Sequence, residues 1–141
     1  MRKSFRGMLA DGAELKIRLS TNDGLTGYKI VKFQAMAADT GKLQQSVLKL
    51  FSVKPSAVND DINFNDPTLM GAIYFTKNDD TKYPITESVI FDNTIINQDM
   101  YITHKDASTG ENLNYYLELE QVKLDVNEAT VATLKDMRGR E

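Results

Sequence analysis

Polar and apolar residues alternate in several separate runs of this chain, and those runs predict its elements. Leu15, Ile17 and Leu19 interleave with Lys16 and Arg18, which makes this the clearest half-buried strand. Near the far end, Tyr115, Leu117 and Leu119 point one way while Glu118 and Glu120 point the other. The apolar face then switches, because Val122 and Leu124 fall on the glutamate side. A strand with that pattern is either covered on both faces or bends into a second sheet. Asp125 follows, with Glu128 three residues later. That spacing is a capping box with Asp in the Ser or Thr place, and it predicts a short helix over 125–138. Val131, Leu134 and Met137 lie three apart and form its expected apolar stripe, with Ala132 nearby. So short a helix is marginal alone, so it is expected to dock on its own sheet.

The remaining runs are shorter. Ser4 to Leu9 reads as a first strand, with residues 1–9 forming either that strand or an N-terminal arm. Ala10-Asp11-Gly12 is a turn signal, and it joins this run to Leu15–Leu19 as an expected β-hairpin. Thr21 to Gly27 is a second turn, matching neither a Walker loop nor a dinucleotide fingerprint. Strands follow at Tyr28–Met36, Leu69–Thr76, Glu87–Phe91 and Asp99–Lys105. Ser46 to Val53 suits a buried strand or a helical turn and a half, and its brevity and the following Pro55 favour strand. Turns are expected at residues 77–81 and at Asp92-Asn93. Pro55 to Thr68 is a long Asn/Asp-rich stretch without periodicity, and loops of that length in a compact domain are often binding loops. The total is about eight short strands and one late helix, which predicts one all-β domain over residues 1–141. An antiparallel β-sandwich or a jelly-roll-like barrel fits that pattern.

Composition narrows the function classes. A chain of 141 residues fits one domain and can bury a core without staples. With no cysteine there is no disulfide, thiolate metal site or thiol catalysis. The basic start has no apolar stretch behind it, so no signal peptide is expected, and no later run is long enough to span a bilayer as a helix. The net charge of -3 gives no global attraction to nucleic acid. Charge is segregated, however. Residues 1–36 carry seven Lys or Arg against three acids, a balance of +4, and residues 54–111 carry four Lys against ten acids, a balance of -6. Such segregation either reflects ordinary solvated faces or lets a basic strand meet an acidic surface on another copy or a partner.

No catalytic constellation is legible. His104 is the single histidine, and Asp106 and Ser108 lie too close in sequence to build a triad with it. It reads as a strand residue with a polar contact. The pairs Asp60-Asp61 and Asp79-Asp80 lack the separation that two glycosidase carboxyls need, and Glu118 with Glu120 reads as one polar strand face. The loop at Asn59–Asp66 offers oxygen ligands but not the spacing of a calcium loop, so no metal and no cofactor is expected. Tyr28 and Phe33 are interleaved with Lys29 and Lys32, as in a stacking platform for single strands, but parity puts the two rings on opposite faces.

Several segments together resemble a known group. They are Arg2 to Gly7, Leu19 to Tyr28, Phe91-Asp92-Asn93 with Asn97-Gln98-Asp99, Asn114 to Glu120, and Ala129 to Asp136. The chain resembles small structural proteins of marine tailed bacteriophages. The likeness spans most of the sequence and carries no catalytic residue. It implies a non-enzymatic virion protein, assembled in the host cytoplasm, that decorates or cements the capsid. The implied partners are the major capsid protein or other virion proteins, with a homo-oligomer or many copies on a lattice and no direct contact with nucleic acid or membrane. A place in the tail or the head–tail neck is the alternative within that class. From the residues themselves, expected partner contacts are Arg2, Lys3, Phe5 and Arg6 on the N-terminal arm, Arg2 to Leu9, which could add a strand to a neighbour's exposed sheet edge, and Asp60, Asp61 and Phe64 on the long loop. An alternative from another class is a carbohydrate- or ligand-binding sandwich using that loop, with Tyr74 or Tyr83 as stacking surface.

Overall fold

A computed structural model of the protein describes residues 1–77, 85–91 and 95–138, with side chains through residue 134. The turns expected at 77–81 and at Asp92-Asn93 fall largely or wholly outside these residues, as do Asp79, Asp80 and Tyr83. The described chain is an open β-sandwich of nine strands with one C-terminal helix. Four strands form the smaller sheet, in the order β1 (Arg2–Leu9), β9 (Leu113–Lys123), β3 (Thr26–Ala37) and β7 (Ile95–Ile96). Five form the larger, in the order β2 (Glu14–Ile17), β8 (Met100–Asp106), β4 (Gln44–Phe51), β5 (Leu69–Lys77) and β6 (Ile85–Ile90). All described pairings are antiparallel. The two sheets do not close on each other, so the architecture is a sandwich and not a barrel.

The alternating residues become the core. Leu113, Leu117 and Leu119 of β9 are fully buried, facing Leu48 and Leu50 of β4, Ile73 of β5 and Ile102 of β8 across one continuous cluster. Burying each such side chain contributes about 1.5–3 kcal/mol, which makes this layer the main source of stability. β9 sits at the centre of the smaller sheet, in register with β1 on one side and β3 on the other. Where its apolar face switches, the helix α1 (Val126–Arg138) supplies the cover. Leu124 packs with Ala129 and Ala132 in a second cluster that also takes in Val122, Leu25 and Ile95. The capping box forms as its spacing predicts. The Glu128 N–H donates to Asp125 Oδ1 at 2.7 Å, and the Asp125 N–H donates to Glu128 Oε1 at 3.3 Å.

Four expectations are corrected. First, β1 and β2 are not a hairpin, since β1 pairs with β9 and β2 with β8, in different sheets. The Asp11-Gly12 turn, with Gly12 at φ +80°, is a corner that carries the chain between sheets. It is pinned to β8 by the Gly12 N–H on the His104 carbonyl at 2.8 Å and by Asp11 Oδ1 accepting the Asp106 N–H at 2.8 Å. Second, Tyr28 and Phe33 share the core face. A bulge between Ile30 and Lys32 inserts one residue and restores the phase that simple parity would have reversed. Third, the helix docks through Ala129 and Ala132, while Val131 (54% exposed) and Leu134 (52%) face outward. Small side chains let the helix approach closely, and Asn97 fixes it there, its amide nitrogen lying within 3.2 Å of the Ala129 carbonyl and the Thr133 hydroxyl. Fourth, β7 is an extra strand, too short for a period to show.

Each sheet has two edges among the described residues, and in the larger sheet they are β2 and β6. β1 pairs only with β9, and β3 beyond Lys29 has no partner opposite β9 among the described residues.

Candidate functional site

A concavity lies on the outer face of the larger sheet. Residues of β4 alternate: Leu48 and Leu50 face the sandwich core, so Val47, Lys49 and Phe51 face out. All three are nonetheless buried. The 52–68 segment folds back over this face and leaves a cleft of about 830 Å³ between itself and the sheet. Lys49, Phe51, Leu69 and Tyr101 form the sheet side, and Ser56, Asn59, Asp61, Asn63 and Asp66 form the loop side.

Lys49 is the unusual group. The residue is only 5% exposed, and its ammonium donates to Asn59 Oδ1 at 2.8 Å and to the Asp61 carbonyl at 2.7 Å. It also lies 5.5 Å from the Phe51 ring centroid, within cation–π range. Burial holds its pKa below the usual lysine value, and the nearby charges of Asp61, Asp60 and Asp66 only partly restore it. The loop oxygens that might have been offered to calcium therefore converge on a cation that belongs to the chain. Among the described residues no group of three or more His, Cys, Asp or Glu could hold a metal ion.

The loop is held by its own side chains as well. Asn59 Oδ1 accepts the Asp61 N–H, Asn63 Oδ1 the Asn65 N–H, and Asp66 Oδ1 both the N–H and the hydroxyl of Thr68, at 2.7–3.1 Å. These local bonds are why Asn and Asp crowd a segment with no strand or helix. A long Asn/Asp loop is thus largely exposed at its residues yet fixed in path.

Compared with known proteins, the chain matches no family model and no curated sequence.

The expected contact residues fall into two separate groups. Arg2, Lys3, Phe5 and Arg6 all lie on β1, at the edge of the smaller sheet. Arg2 pairs with Glu118 at 3.0 Å on the outer face, and Arg6 is exposed opposite Tyr116. Lys3 lies on the inner face, over the Tyr28 ring at 5.5 Å, and Phe5 packs on the core. Asp60, Asp61 and Phe64 lie on the loop over the other sheet. Asp60 and Asp61 are exposed, and Phe64 (57% exposed) meets Phe91 edge-on at 5.1 Å. The structure does not bring the two groups together. Tyr74 is bonded through its hydroxyl to Gln45 and does not line the cleft, where Tyr101 and Phe51 stand instead.

His104 is wholly buried and has more than one polar contact. Nδ1 lies 3.1 and 3.0 Å from the Leu9 and Ala10 carbonyls, and Nε2 lies 2.9 Å from Ser46 Oγ, which also accepts from Gln44 Nε2. With the proton on Nδ1, every contact is satisfied: the ring donates to the corner and accepts from Ser46. It ties the end of β1 to the larger sheet, and no cleft opens onto it among the described residues. No described helix is long and apolar enough to cross a membrane.

Proposed function

We propose that the chain is a non-enzymatic virion structural protein of a tailed bacteriophage that decorates or cements the capsid through protein–protein contacts. The likeness of its sequence segments to such proteins supports the class. The observation that carries the reading is β1, an eight-residue strand paired on one side only among the described residues and bearing Arg2, Lys3 and Arg6. An unpaired strand edge is a template for a further strand, and charges on it deter indiscriminate pairing while admitting a partner of complementary charge. Because residues 2–9 are built into the sheet, they contribute an edge and not a loose arm. Individually weak contacts suffice when many copies engage one lattice, since linked contacts gain avidity.

Mass spectrometry of purified particles tests the class, with the chain expected at a copy number comparable to that of a capsid subunit or a simple fraction of it. Its absence from purified particles would refute the proposal. The surface is tested by Arg6→Glu, which inverts an exposed charge without breaking an ion pair among the described residues. This variant is expected to fold as the parent does and to occupy particles less.

A further inference from the structure

We infer that the cleft over the larger sheet is a binding site for a neutral saccharide. This inference is independent of the virion reading. The volume of about 830 Å³ is that of a ligand site. Its charges offset: Lys49 and Lys54 face Asp61 and Asp66, so the lining favours neither a strong anion nor a strong cation. Lys49 is already held by two loop oxygens, and Lys54 reaches Glu14 at 3.9 Å.

What remains unspent is a set of paired donors and acceptors. The oxygens of Asn59 and Asn63 hold the loop itself, which leaves both amide NH2 groups without a partner among the described residues. The hydroxyls of Ser56 and Tyr101 and the second carboxylate oxygen of Asp66 are likewise unengaged there. Sugar hydroxyls donate and accept at once, and they match such a mixture better than any group of one polarity. The half-buried Tyr101 ring, which lines the cleft beside the buried Phe51, supplies the apolar surface that the C–H face of a pyranose needs. The loop's side-chain bonds fix these groups before a ligand arrives, which lowers the ordering cost that weakens most saccharide binding.

The test uses the whole chain, purified alone. A glycan array carrying neutral and acidic oligosaccharides is screened, and the best neutral oligosaccharide is titrated into isotope-labelled protein by NMR. Saturable shifts confined to residues 52–68 and the neighbourhood of Tyr101 are expected. Tyr101→Phe, which removes only a hydroxyl, is expected to weaken binding about tenfold, the equivalent of one hydrogen bond. Ser56→Trp, on the exposed rim, is expected to abolish it while leaving the unfolding midpoint unchanged. Absence of binding, binding of acidic glycans alone, or shifts that map to β1 would each overturn the assignment.

Discussion

Replacing Lys49 with Met decides whether the buried ammonium stabilises the domain or only shapes the loop. Methionine keeps the length and packing of the side chain and removes its charge. Two hydrogen bonds from a charged donor would be lost, each about 1.5–3 kcal/mol when a comparable bond is removed elsewhere. Against this stands the cost of taking an ammonium out of water, several kcal/mol for a buried ion. The structure indicates which prevails. Both acceptors are neutral oxygens, and the lysine pKa is depressed despite three acids nearby, so the site disfavours the charged form relative to water. The groups left behind are also lightly penalised: Asn59 Oδ1 keeps the Asp61 N–H, and the carbonyl belongs to exposed Asp61. We therefore expect the urea midpoint of Lys49→Met to lie within about 1 kcal/mol of the parent or above it. Amide exchange across 53–67 should quicken while that of β9 stays protected. The pH dependence has a matching sign. A depressed lysine pKa means that the unfolded chain binds more protons, so the parent gains stability as pH rises from the folded value towards 10.5, and the variant should lack that gain. A loss above about 3 kcal/mol in Lys49→Met, the size expected when a buried charge pair is broken, would refute the reasoning.

Three further outcomes follow from the same structure. Asp125→Ala removes the acceptor of the Glu128 N–H and should cost about 1 kcal/mol, seen in thermal unfolding and as faster exchange in α1. Gly27→Ala would place a methyl 2.7 Å from Ile95 Cγ2 and 3.0 Å from Leu124 Cδ1, an overpacking worth about 1–3 kcal/mol by chemical denaturation. In Asp99, partial burial raises the carboxyl pKa, but the Ser20 and Leu19 N–H groups and Lys16 outweigh it and hold it below 3.8. Its stabilisation is thus present above that value and lost as pH falls through the folded pKa, so Asp99→Asn should flatten the acid limb of a stability–pH curve.

How far the chain could be read depends on the range of the interaction concerned. The alternation around Leu117 and the Asp125–Glu128 spacing are local, and both gave the element that forms. The hairpin failed because turn chemistry at Asp11-Gly12 says that the chain reverses but not which sheet it enters. That choice is made by β8 and the His104 ring, some ninety residues away. The Tyr28–Phe33 parity failed at a single inserted residue. The helix stripe failed because Ala129 and Ala132 carry too little hydrophobicity to mark the face that docks. Lys49 was missed, yet a signal was present. In Val47-Leu48-Lys49-Leu50-Phe51 the lysine shares its face with two apolar neighbours, which is the pattern of a covered face and not of a solvated one.

The central place of β9 has a consequence for the newborn chain. β1 and most of β3 have no partner in their own sheet until residues 113–123 have been made, whereas β4, β5 and β6 meet through near neighbours. One half of the molecule can therefore assemble early during synthesis while the other waits, its basic edge strand bare until β9 is made. Pairings across more than a hundred residues are slow to close and open to capture by other chains. Of the nine described strands, the one made last is the one that finishes the sheet.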